Sequence, residues 1–172
     1  MPGTATIRSS LVLGTAALAL AACGGGGGGG GDPIGPPAAN IVGHYTVTHT
    51  GTLSGLPAIS CPGDIDITNQ TGNSFSGTIS VDVTTGCEGF AGSGTIDGTL
   101  TNGGAFEATI TIPALNELLA SLNCTIVGGD STFTGSAGTA GISAGRSVDL
   151  NCEIEGGTLE TTLEYTVVGP KT

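Results

Sequence analysis

From residue 41 onward, apolar and polar side chains alternate with a period of two. Ile41, Gly43, Tyr45, Val47 and His49 fall on one side of a first strand, with His44, Thr46, Thr48 and Thr50 on the other. A second run sets Ile65 and Ile67 against Asp64, Asp66 and Thr68, and a third sets Phe75, Gly77, Ile79, Val81 and Val83 against Ser76, Thr78, Ser80 and Asp82. Two more follow, one through Phe90, Gly92, Gly94, Ile96, Gly98 and Leu100, the other through Phe106, Ala108, Ile110 and Ile112. A sixth carries Cys124 and Ile126, then Phe133 beyond a bulge at Gly128-Gly129. A seventh carries Val148, Leu150, Cys152 and Ile154. The last sets Leu159, Leu163, Tyr165 and Val167 inward and Glu160, Glu164 and Thr166 outward. Such alternation marks antiparallel strands with one face buried and one wet.

Turn signals at Thr71-Gly72-Asn73, Asn102-Gly103-Gly104 and Glu155-Gly156-Gly157 separate these runs. Strands joined in sequence by mostly short links predict an all-β fold, an eight-stranded antiparallel up-and-down barrel whose closure removes the exposed edges. One helix is predicted from Pro113 to Leu122. Proline stands near its start, and Leu115, Leu118, Leu119 and Leu122 recur at helical spacing, which suits a lid packed over one barrel end.

Composition agrees with the pattern. There are 33 glycines and no tryptophan in 172 residues, and Thr, Val and Ile fit a pleated surface. Charge narrows the partners. All 14 carboxylates lie after Cys23, where the basic side chains are Arg146 and Lys171. A nucleic-acid interface needs a basic footprint to neutralise phosphates, so none is expected. Adsorption of the domain itself to anionic head groups is disfavoured for the same reason. The acidity is expected to keep a tethered domain soluble and spaced from its neighbours.

The first forty residues carry an address. Arg8 precedes a short apolar run from Leu11 to Leu20, too short to span a bilayer, and residues 1–22 read as a signal peptide. Leu20-Ala21-Ala22-Cys23 then resembles the lipobox of bacterial lipoproteins, an aliphatic residue and two small ones before cysteine. That resemblance implies cleavage before Cys23, diacylation of its sulfur and firm anchoring in a membrane, since two or more chains hold where one binds only marginally. In the sorting pattern of that family, Gly24 in place of aspartate implies the outer membrane. Gly24 to Gly31 is an unbroken run of eight glycines, followed by Asp32-Pro33-Ile34-Gly35-Pro36-Pro37. Polyglycine loses too much entropy to order, so residues 23–40 are expected to tether a domain at 41–172, roughly 20–25 Å from the bilayer on linker scaling.

Four further cysteines remain, and the compartment beyond the inner membrane is oxidising. Three pairings are open to them. Cys61 opens the second strand and Cys87 follows the third, so both lie at the open end of one hairpin. Cys124 and Cys152 hold mirrored places on the sixth and seventh strands. This topology predicts Cys61–Cys87 and Cys124–Cys152. A four-cysteine zinc site is the alternative, but the spacings lack close CxxC pairs, and no metal is expected.

Gly43-His44-Tyr45 on the first strand, the meander and the stapled hairpins resemble the small lipocalin-like barrels of bacterial lipoproteins. Members of that fold class bind small apolar molecules inside the barrel, and the resemblance implies the same here. The sequence departs from the family at Tyr45, where true lipocalins carry tryptophan, and no basic residue is assigned to cover it. A ligand would be lined by Tyr45, Phe75, Phe90, Phe106, Phe133 and Tyr165.

No catalytic constellation stands out, no cofactor is implied, and the chain is not expected to be an enzyme. Nucleophilic catalysis needs a base beside Ser, Thr or Cys. The two histidines, His44 and His49, fall on opposite faces of one strand, His44 outward and His49 at the barrel rim. The pairs Asp64 with Asp66 and Asp149 with Glu153, and the lone Glu117, lie on wet faces without a calcium-loop spacing. The inward glycines leave two readings open. They make room for a ligand, or they let the barrel coil tightly while aromatic rings fill the space.

Overall fold

A computed structural model describes residues 39–101 and 103–172, and the predicted signal peptide, the lipidation residue Cys23 and the glycine tether lie outside the described residues. Nine strands alternate with short turns: β1 (Gly43–Leu53), β2 (Ile59–Thr71), β3 (Ser74–Val81), β4 (Gly92–Leu100), β5 (Ala105–Thr111), β6 (Cys124–Gly129), β7 (Phe133–Ala137), β8 (Gly141–Ile154) and β9 (Gly157–Pro170). One helix, α1 (Pro113–Ser121), joins β5 to β6. The hydrogen-bonded order is β6-β8-β7-β5-β4-β3-β2-β1-β9, and β8 also pairs with β9, which closes an antiparallel barrel. β6 and β7 lie against successive stretches of the same edge of β8, so together they make one interrupted stave and the barrel has eight. The interruption is residues 130–132, and it follows a bulge at Val127, one residue before the Gly128-Gly129 expected from sequence, where the register shifts between Ile126 and Gly128.

Alternation decides what is buried. Tyr45, Val47, Ile65, Ile67, Phe75, Ile79, Ile96, Phe106, Phe133, Tyr165 and Val167 point inward and are nearly or fully shielded. Thr46, Thr48, Asp66, Thr78, Thr95, Asp97 and Glu107 point the other way. A barrel that crossed a membrane would need an apolar band on that outer face. This one is clothed in threonine and carboxylate.

Four inward assignments do not hold. Val83 lies beyond the end of β3, in the loop held by Cys87, and is 79% exposed. Ile126, Ile154 and Leu159 are about half exposed. They keep the inward parity, but β6 and the ends of β8 and β9 run past the closed ring, where the described residues leave them half uncovered. Phe90 also falls outside its predicted strand, in the turn before β4, and is partly buried.

The lid helix forms where predicted. Pro113 opens it, and Asn123, in the left-handed region at φ 53°, turns the chain out toward β6. Leu119 packs on Val148, Leu150, Cys152 and Leu163, a small second core beside the main one. Both disulfides pair as the topology predicts, Cys61 with Cys87 and Cys124 with Cys152. The second spans directly opposed positions of β6 and β8, with Cα atoms 3.9 Å apart. The linked cysteines stand 26 and 28 residues apart, for which loop-closure entropy gives about 3.5 kcal/mol each. Converting either pair to serine is therefore expected to lower the urea-unfolding free energy by that order. A loss below about 1 kcal/mol would contradict a stabilising role for that bridge.

Candidate functional site

The barrel interior is the place where the fold concentrates its large side chains. Phe75 and Phe106 meet edge to face, with centroids 5.6 Å apart, and Phe133 and Tyr165 do the same at 5.7 Å. Tyr45 closes the end near residue 41 and donates its hydroxyl to the Ile41 carbonyl at 2.6 Å. Across its ring stands Lys171, Nζ 5.6 Å from the centroid, whose stem fills the space a side chain at Gly43 would take. The basic residue over Tyr45, which the sequence left unassigned, is Lys171 on the stretch that follows β9. Arg146 lies 4.9 Å above the Phe133 ring.

Three inward glycines show what lies beside them. A Cβ at Gly77 would strike the Asp66 carbonyl oxygen, and one at Gly94 would strike that of Thr111. At both points the next strand's main chain occupies the place of a side chain, so the wall coils inward on itself. At Gly98 the occupant is Phe75, whose ring atom Cζ comes within 2.5 Å of the Cβ position. These glycines therefore admit backbone and aromatic rings, and they do not open a chamber. The space enclosed by His49, Cys61, Val81, Phe90 and Tyr165 is about 20 Å³, room for one water.

Five of the six proposed lining residues, Tyr45, Phe75, Phe106, Phe133 and Tyr165, are buried against one another and against aliphatic neighbours. Phe90 stands apart at the lid end. There it borders an apolar cleft of about 80 Å³ shared with Leu53, Leu56, Ile59, Leu115 and Leu118. The cleft opens at the end opposite Ala39.

His49 does not sit at the rim. It is 2% exposed, with Nδ1 2.8 Å from the Tyr165 hydroxyl and Nε2 3.0 Å from the Ser80 carbonyl oxygen. A carbonyl can only accept, so Nε2 carries the proton and Nδ1 accepts from the tyrosine. Gly63 makes the pocket, since a Cβ there would meet Nε2 at 2.7 Å. Burial lowers the His49 pKa, against smaller raising effects of Ser80, Asp82 and Asp64. Burial likewise raises that of Tyr165. The pair is a neutral, fully bonded polar island. Its only sequence signal was inward parity at both positions.

A depressed histidine makes folding proton-sensitive in a defined direction. Above the unfolded value of 6.5 both states are neutral and the contribution is complete. As pH falls below 6.5 the unfolded chain takes up a proton that the folded one refuses, until the lower folded pKa is reached. Stability should fall by up to about 1.4 kcal/mol per pH unit over that window. Urea titrations between pH 4.5 and 7.5 should show this slope in the native chain and lose it in His49→Asn. Identical slopes would contradict the buried neutral assignment.

His44 behaves oppositely. It faces outward, with Nδ1 2.8 Å from Asp66 and Nε2 3.2 Å from Asp64. The hydrogen bond to Asp66 leads the causes that raise its pKa, with Asp64 adding to them. Its contribution is present below 6.5 and is lost as pH rises through the folded value. Both ring nitrogens are taken by carboxylates, so the Asp64–Asp66 pair is a bracket for the imidazole. Asp149 accepts a hydrogen bond from the Thr162 hydroxyl on the outer face, and Glu117 and Glu153 are exposed.

The chain matches no protein-family model and no curated protein sequence. Among solved structures, it is similar to a redesigned beta barrel, b11L5F_LGL, at TM-score 0.44 and 13% identity over 77% of this chain and 92% of that one. It is similar also to EF1p2_mFAP2b bound to DFHBI, at 0.43 and 10% over 77% and 94%. Neither likeness bears on function.

Proposed function

We propose that the chain is a cell-envelope lipoprotein, cut before Cys23 and held in the outer membrane by acyl groups on that cysteine. Its barrel is then a solid-cored structural and interaction module, with no small apolar ligand inside. One observation carries the second half of this reading: the places left by Gly77, Gly94 and Gly98 are filled by neighbouring main chain and by the Phe75 ring. Ligand sites of small molecules run to a few hundred Å³, against about 20 Å³ beside His49 and Tyr165 and about 80 Å³ in the cleft at the lid end. The two disulfides fit an oxidising compartment. No catalytic role is assigned, because both nitrogens of the buried histidine are already engaged.

Native mass spectrometry of the barrel released from envelopes is the direct test. The expected mass is that of the polypeptide with two disulfides alone, and a retained apolar molecule would overturn the reading. The anchor is tested separately. A Cys23→Ser precursor should stay uncleaved, take up no labelled palmitate and remain in the inner membrane, whereas normal acylation would remove the lipoprotein assignment.

A further inference from the structure

Among the described residues, β6 is the one strand with a hydrogen-bonded neighbour along a single edge. β6 is hydrogen-bonded to β8 on one side and ends the strand order on the other. Ring closure passes it by, because β5 pairs with β7 through Ala105–Ala108. Natural sheet edges are usually blunted by lysine, proline or inward charge. The β6 sequence, Cys-Thr-Ile-Val-Gly-Gly, has none of these. Its Ile126 is 47% exposed and Val127 63%. The strand is also pinned in place, since the Cys124–Cys152 bridge locks it to β8, and Cys124–Ile126 keep a regular register ahead of the bulge at Val127. A rigid, apolar, unpaired edge is a template for one more strand.

Charge selects what that strand carries. The outer face beside β6 bears Asp149 and Glu153 on β8, then Glu160 and Glu164 on β9, and Asp130 follows the bulge. The cations among the described residues are engaged elsewhere, Arg146 over Phe133 and Lys171 over Tyr45. A second copy of the chain would set two such acidic faces side by side, which is repulsive. We propose that the free edge at Cys124–Gly129 accepts an extended segment of a partner protein, with apolar residues in alternation and lysine or arginine between them. The apolar side chains would lie beside Ile126, and the basic ones would reach the carboxylates of β8. This inference rests on the interaction reading above. A small molecule retained in the barrel would overturn the solid-core reading alone, and the edge is decided by its own experiment.

The probe is an alternating valine–lysine hexapeptide, titrated into the whole mature chain in uncharged detergent. Controls are the valine–glutamate peptide and a valine–lysine peptide N-methylated at alternate amides. The expected result is slowing of amide exchange at residues 124–129 by about tenfold or more, weakening as salt rises from about 0.05 to 0.5 M, with neither control protecting them. Val127→Lys should reduce the protection while leaving the thermal unfolding midpoint unchanged. Equal protection by the glutamate peptide would overturn the charge argument. Protection by the methylated peptide, or binding that leaves residues 124–129 unprotected, would overturn strand addition. A dimer that protects the same amides without peptide would give the edge to a second copy and overturn the proposed partner.

Discussion

Gly94→Ala should cost about 3 kcal/mol or more and leave little folded protein at 37 °C. A methyl group at this position enters the Thr111 carbonyl oxygen and approaches the Ile112 Cα at 3.1 Å. Main chain cannot swing aside as a flexible side chain can, so β4 and β5 must separate. That would disturb Ile96 against Ile110 and Gly98 against Ala108, the next pairs along the ladder. The control is Gly138→Ala in the turn between β7 and β8, where no atom lies within 4 Å of the added group. It should be neutral, or slightly stabilising through the unfolded chain. Urea unfolding of the two variants checks the contrast. If Gly94→Ala matched Gly138→Ala, the wall would have slack at that point, and the glycines would have to be read as makers of space.

Phe133→Ala should cost about 3–5 kcal/mol, the range for deleting a buried aromatic ring. Phe133 is 2% exposed and holds three things at once. It presents its ring edge-on to Tyr165, carries the Arg146 guanidinium on its face, and opens β7, which takes over from β6 along β8 and pairs there with Ala108 of β5. Removing it loosens Tyr165, whose hydroxyl is the His49 partner, so the His49 resonance should shift in the variant. Phe90→Ala is the useful comparison. Phe90 is only partly buried, at the open cleft under α1, and its loss should cost about half as much. Thermal and urea unfolding give both values. A cost below about 1 kcal/mol for Phe133 would mean that the interior can collapse freely around it.

The strand pattern was readable because one face of each stave is dry and the other wet, and period two then places residues such as Ile65, Ile79 and Phe106 without any tertiary knowledge. The disulfides were readable for a related reason. Strands joined by hairpins put Cys61 near Cys87 and Cys124 opposite Cys152 whatever the details of the turns. Parity could not say where the barrel stops. Ile126, Ile154 and Leu159 follow the inward rule on strands that continue past closure, so they carry the signature of a core they do not reach. Nor could spacing say what fills the gap beside a glycine. Gly77 and Gly94 face the main chain of a strand paired with them across the sheet, and that contact depends on the coil of the wall. The island of His49, Tyr165 and Ser80 joins residues up to 116 positions apart and has no local trace. Lys171 over Tyr45 is hidden similarly, since it needs β9 to return beside β1.

Xenon under pressure tests most directly whether the interior is full. It enters dry apolar cavities of roughly 150 Å³, such as a deleted side chain leaves. Crystals of the native barrel should show no xenon on the barrel axis among Phe75, Phe106 and Phe133, while crystals of Phe133→Ala, if that variant folds, should show it in the vacated site. A xenon peak on the axis of the native protein would contradict the solid core and restore the reading in which the barrel holds a small apolar ligand.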